Sequence, residues 1–91
     1  MSVRRGHAGK VDGNHAEIVA AFRACGWSVT SLAQVGAGCP DLVVGRAGRN
    51  LLVEVKRPKA VLTPDETAWH AAWRGQVCIV RTVADVIALS G

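Results

Sequence analysis

Hydrophobic and polar positions along the chain alternate with two different periods. In "NHAEIVAAFRACG" (14–26), Ile18, Ala21, Phe22 and Cys25 recur at helical spacing and Gly26 supplies a stop, which predicts a first helix. "WSVTSLA" (27–33) alternates weakly and reads as a strand, followed by a glycine-bearing loop, "VGAGCP". "DLVVG" and "NLLVEVK" are the clearest strands, and "RAGR" between them reads as a hairpin turn. "RPKAVL" is a connector, because Pro58 does not suit a central strand. "TPDETAWHAAWRG" opens with Thr63 at a cap position and Pro64 at the first helical position, so it reads as a second helix. "QVCIVRT" is a further strand, and "TVADVIALSG" a short last helix with Thr and Asp at capping spacing. The order helix, strand, strand, strand, helix, strand, helix predicts an α/β fold with one mixed sheet of about four strands flanked by helices.

Charge intrudes on the two best strands. Asp41 opens the first, Glu54 interrupts the second, and Lys56 follows two residues later. Side chains alternate faces along a strand, so Leu52, Glu54 and Lys56 share one face and Leu51, Val53 and Val55 the other. A two-residue turn at Ala47-Gly48 would place Asp41 opposite Glu54, and a one-residue slip would put both apolar sets on the wrong faces. Carboxylates held together repel and raise each other's proton affinity. A divalent cation is the simplest reason to keep such a pair: Mg²⁺ takes oxygen ligands and is often held by one or two carboxylates. A neighbouring lysine would orient or deprotonate a water, or stabilise charge in a phosphoryl transition state. The competing reading is a ladder of surface charges on a solvated sheet face.

Length and composition narrow the setting. The chain has 91 residues, enough for one domain near the lower size limit for a self-sufficient core. With 49% hydrophobic residues and mean hydropathy +0.21, it is apolar for its size, so a homodimer that buries part of that surface is expected. The net charge of +4 favours an anionic partner such as nucleic acid. Three widely spaced cysteines (Cys25, Cys39, Cys78) and scattered histidines match no disulfide framework or zinc pattern and fit a reducing, cytoplasmic setting. No apolar run is long enough to span a membrane, and residues 1–13 read as a flexible basic arm rather than a secretory signal.

"PD" at Pro40-Asp41 and, twelve residues on, "EVK" at Glu54-Val55-Lys56 resemble the PD-(D/E)XK phosphodiesterase motif. Together with "GCPDLVV", "LLVEVKRPKAVLTPDE", "AWHAAWRG" and "VCIVRTVADVIALS", the span from Asn14 to Leu89 resembles the VRR-NUC branch of that superfamily, the virus-type replication and repair nucleases. The resemblance implies a restriction-endonuclease-like core over residues 14–91. It also implies a Mg²⁺- or Mn²⁺-dependent DNA nuclease with no organic cofactor, in a bacterial or virus-infected bacterial cytoplasm. Asp41, Glu54 and the Val55 carbonyl would bind the metal, Lys56 would position the attacking water, and Glu17 would complete the site from the first helix. The product would carry a 5′-phosphate, and branched DNA is a substrate by analogy with junction resolvases. A non-cleaving, basic nucleic-acid-binding or assembly module of the same fold is the alternative.

Two acidic residues keep a second reading. Glu17 lies three residues after Asn14, and Glu66 three after Thr63, each at capping-box spacing. Glu66 stands where the family usually has a site-facing glutamine. Trp69 and Trp73 read as core or interface, Trp27 as core, and His70 as structural or exposed. Arg46 and Arg49 at the hairpin, with Arg57 and Lys59 after Lys56, are the candidate phosphate contacts.

Overall fold

The computed structural model describes residues 13–91, so most of the basic arm assigned to residues 1–13 lies outside the described residues. Helix α1 (His15–Ala24) is followed by β1 (Ser28–Ser31), β2 (Leu42–Arg46), β3 (Arg49–Val55), α2 (Pro64–Ala72), β4 (Val77–Val80) and α3 (Val83–Ser90). The strands form one sheet in the order β1-β2-β3-β4. The first two pairings are antiparallel and β3–β4 is parallel. Among the described residues the architecture is therefore α/β with a four-stranded mixed sheet and three helices, in the element order expected from the sequence.

The hairpin sets the register. Ala47 and Gly48 both have positive φ, 53° and 78°, as a two-residue turn that follows the strands' twist requires. That turn pairs Arg46 with Arg49 and Leu42 with Val53. Leu42, Val44, Leu51, Val53 and Val55 then fall on one face and are buried together with Ile18 and Phe22 of α1, Val86 of α3, Trp27 and Val80. Phe22 and Trp27 meet edge to face, with ring centroids 5.6 Å apart. The indole N–H of Trp27 donates to Ser90 Oγ at 2.8 Å, which removes the cost of burying it unpaired. Helices α1 and α3 therefore cover one sheet face, and the face carrying Val43, Leu52 and Glu54 is left to α2.

Local chemistry accounts for the helix ends. Thr63–Glu66 and Thr82–Asp85 both form reciprocal capping boxes, so α2 and α3 start where the spacing indicated. Asn14 behaves differently and makes no side-chain cap on α1. Its amide instead donates to the carbonyls of Lys56 (3.2 Å) and Arg81 (2.9 Å), tying the start of α1 to the ends of β3 and β4. Beyond β3, one guanidinium nitrogen of Arg81 collects the carbonyls of Arg57, Pro58 and Ala60 and fixes the connector. Among the described residues no helix is long and apolar enough to cross a membrane.

Left-handed backbone at Ala47 costs about 1–2 kcal/mol that asparagine, whose side chain can bond locally, largely avoids. Ala47→Asn should therefore stabilise the protein by about 1 kcal/mol in urea unfolding with an unchanged m value. A variant no more stable than the parent would contradict the turn geometry.

Candidate active site

Asp41 sits one residue before β2, behind the fully buried Pro40. Its carbonyl accepts from Leu32 N–H at 2.7 Å, and its side-chain Oδ2 accepts from Val55 N–H at 2.8 Å. The carboxylate is thus pinned across the end of β3. Continuing the hairpin register by one step places Asp41 opposite Glu54. Glu54 is only 2% exposed and Lys56 8%, so the reading of a solvated charge ladder fails: this sheet face is covered where the charges lie.

Helix α2 supplies the cover and two of the partners. Lys56 Nζ lies 2.8 Å from Glu66 Oε1, and Glu54 Oε1 lies 3.3 Å from His70 Nε2. Glu66 and His70 are four apart on α2 and so share a helix face, while Lys56 and Glu54 are two apart on one side of β3. Two neighbouring positions on the helix therefore grip two neighbouring positions on the strand. The two readings of Glu66 turn out to be compatible, because the Oε1 that contacts Lys56 also accepts from Thr63 N–H at 2.9 Å. His70, read from the sequence as structural or exposed, contacts the buried glutamate. Its one signal was its place one turn after Glu66.

The first turn of α2 is seated by close backbone approach. Gly38 has φ +85°, and a Cβ there would lie 2.3 Å from the carbonyl oxygen of Asp65. Only glycine lets the loop before Asp41 press against the helix start that carries Glu66.

The electrostatics follow from burial. Glu54 is pushed up from 4.5 to about 9, first by burial, then by the side-chain hydrogen bond and charge of Asp41 and the charge of Glu66; Lys56 offsets only part. Burial also pushes Glu66 up, but the hydrogen bonds from Lys56 and the Thr63 backbone, with the lysine's charge, outweigh it and hold this carboxyl below its ordinary value. Cys39, beside the motif, is raised by burial and then by Glu54 and Asp41, which keeps it a thiol rather than a thiolate. Near neutral pH the metal-free cluster therefore has a proton on Glu54, hydrogen-bonded to Asp41, next to a Lys56–Glu66 ion pair.

That proton stands where a cation would fit. Among the described residues no group of three or more His, Cys, Asp or Glu side chains is arranged to hold a metal, so a closed zinc-type site is not built there. Mg²⁺ asks for less, since one or two carboxylates and retained waters are enough. Asp41 and Glu54 meet that requirement, and their mutual repulsion is what a cation would relieve.

The remaining candidates differ in their surroundings. Glu17 is exposed on the first turn of α1 and forms no capping box with Asn14. Arg46 and Arg49 lie over the Trp27 ring, 5.7 and 5.8 Å from its centroid, and Arg46 also donates to the Ser90 carbonyl. They are at the turn end of the hairpin, on the face of α1 and α3, where they pack on the core's edge. Arg57 and Lys59 are exposed on the connector that leaves β3 just past Lys56. Val55 gives its N–H to Asp41 and ends β3 between Glu54 and Lys56. No family model, curated protein or solved structure matches this chain.

A raised carboxyl pKa links stability to pH. Between 4.5 and about 9 the folded state holds the Glu54 proton that the unfolded chain has lost. The stabilisation from this group is complete below pH 4.5 and declines as pH rises through about 9. In EDTA the parent should lose roughly 1 kcal/mol per pH unit across this window from this group. Glu54→Gln should flatten the profile. Parallel pH profiles for the two proteins would contradict a protonated, buried Glu54.

Proposed function

We propose that the protein is a divalent-metal-dependent DNA nuclease of the PD-(D/E)XK type, in its VRR-NUC branch. The observation that carries the reading is Glu54, buried against Asp41 with Lys56 two residues on. A buried acidic pair beside an ammonium is a costly arrangement for a small domain, and phosphodiester hydrolysis uses all three groups. A mixed sheet with helices on both faces and the motif at the sheet's centre is compatible with that superfamily's core.

In this reading Asp41 and Glu54 hold Mg²⁺ or Mn²⁺, with the Val55 carbonyl as a further oxygen ligand, and Glu54 gives up its proton on loading. The ion supplies Lewis acidity, polarising a phosphoryl oxygen and lowering the pKa of a water. Lys56 faces the charge that develops on the phosphoryl group as the water oxygen bonds to phosphorus and the 3′-oxygen leaves with a proton, yielding a 5′-phosphate. Glu66 holds the lysine charged and in place. His70 fixes the orientation of the Glu54 carboxyl. Arg57 and Lys59, next along the chain, track the DNA backbone without reading sequence. Glu17 approaches the substrate from α1, and a homodimer would set two such sites at a fixed separation suited to branched DNA.

The test is cleavage of plasmid and of branched oligonucleotides with Mg²⁺, Mn²⁺ or EDTA. Cleavage should require the metal and fall at least about 100-fold in Asp41→Ala, Glu54→Ala and Lys56→Ala. Metal-dependent cleavage that survives Asp41→Ala or Glu54→Ala would overturn the site. Calorimetry showing no divalent-ion binding, with salt-sensitive DNA binding intact, would instead identify a non-cleaving module.

A further inference from the structure

The outward stripe of β3 does not end at Glu54. Asn50 and Leu52 precede it on the same face, towards the hairpin turn. The inward face of α2 likewise includes Trp69, three residues after Glu66, and Trp73 follows as the extended residue that ends the helix. Helix and strand run in opposite directions here, so Glu66 and His70 roof the acidic cluster while the two tryptophans roof the stretch beside it.

That stretch is an open groove of about 370 Å³. Its floor includes Val43 and Leu52, its wall is Trp69 and Trp73, and Asn50 and Gln76 stand among its lining residues. Cys39, two residues before Asp41, lines it too, so the loop that leads to the acidic cluster borders the groove. The two indoles are stacked, with centroids 4.6 Å apart and planes 17° from parallel, and Trp73 is 46% exposed. No residue of α2 is fully buried, so its aromatic side chains are not consumed by the core.

We propose that this groove takes one unpaired nucleobase of the strand being cut, stacked on the Trp69–Trp73 wall. The inference rests on the nuclease reading above. An apolar slot with an aromatic wall suits the flat face of a heteroaromatic ring, and such stacking tolerates any base. The groove's lining carries no cation for a phosphate. Leu52 is two residues from Glu54, roughly 7 Å along the strand, within one nucleotide's reach of the acidic cluster. A base stacked inside a duplex cannot enter, so the substrate presents an unpaired nucleotide next to the phosphate that is attacked. A second copy of the chain is the weaker occupant: stable interfaces bury about 800 Å² per partner, well beyond one ring-sized slot.

Binding measured by fluorescence anisotropy in EDTA, at fixed salt, separates this claim from catalysis. The probes are a labelled single-stranded thymidine oligonucleotide and a blunt duplex of equal length. The parent should quench its tryptophan emission on the single strand. Trp69→Ala should lose about ten-fold in single-strand affinity while duplex affinity stays within two-fold, and Trp69→Phe should retain most of it. If Trp69→Ala does not fold by circular dichroism, Trp73→Leu is held to the same criterion. Equal losses on both probes, or no loss on either, overturn the groove. So does sedimentation showing a dimer that Trp69→Ala dissociates without DNA. Cleavage that is metal-dependent yet accompanied by an indifferent Trp69→Ala removes this inference and leaves the nuclease reading standing. Absent cleavage with a Trp69-dependent single-strand preference keeps the stacking groove but removes the nuclease reading, and with it the claim that the stacked base belongs to a strand being cut.

Discussion

The pairing of Leu42 with Val53 is the constraint from which the rest of the molecule follows. A two-residue turn with both φ values positive permits that register and no neighbouring one without reversing faces. In this register five apolar side chains of the hairpin meet α1 and α3, and Asp41 is carried opposite Glu54. Core and acidic pair are thus consequences of a single alignment. A slip of one residue would expose Val53 and Val55 and bury Asn50-side polar groups against Phe22, so the hydrophobic energy of the core holds the carboxylates together against their repulsion.

Helix α2 closes over that pair. The connector between β3 and β4 must cross over the sheet because the two strands are parallel. This crossover lays α2 on the face that carries Glu54 and Lys56. Gly38 lets the preceding loop touch the helix's first turn, and the capping box fixes where that turn begins. The same Glu66 oxygen serves the cap and the lysine, so helix initiation and positioning of Lys56 are coupled through one atom. Burial then separates the two acids: the contact with Lys56 holds the Glu66 carboxyl below its ordinary value, while Glu54, deeper and beside Asp41, is pushed up.

Elements dictated by short-range chemistry were legible in the sequence. The Ala47-Gly48 turn, the Thr63 and Thr82 caps and the alternation of "LLVEVK" each depend on a few adjacent residues, and the hairpin register follows from them. The shared face of Asp41, Glu54 and Lys56 could be read for the same reason. What resisted reading depended on the other sheet face or on contacts distant in the chain. Asn14–Glu17 has capping-box spacing, yet the Asn14 amide is drawn to the carbonyls of Lys56 and Arg81, far away in sequence. Arg46 and Arg49 also lie over the Trp27 ring, a contact set by strand parity that their charge alone does not announce. His70 looked bland because its one local mark is its place a turn after Glu66; the crossover brings it to Glu54.

The central claim is that Glu54, buried against Asp41 with Lys56 offsetting only part of the penalty, keeps a proton that a bound divalent ion would displace. The most direct measurement is the side-chain carboxyl ¹³C shift of Glu54, followed by NMR through a pH titration in EDTA and again with saturating Mg²⁺. The account predicts a midpoint near 9 in EDTA that falls toward the ordinary carboxylate range with Mg²⁺. A midpoint near 4.5 in EDTA, or one that Mg²⁺ leaves unmoved, would contradict it.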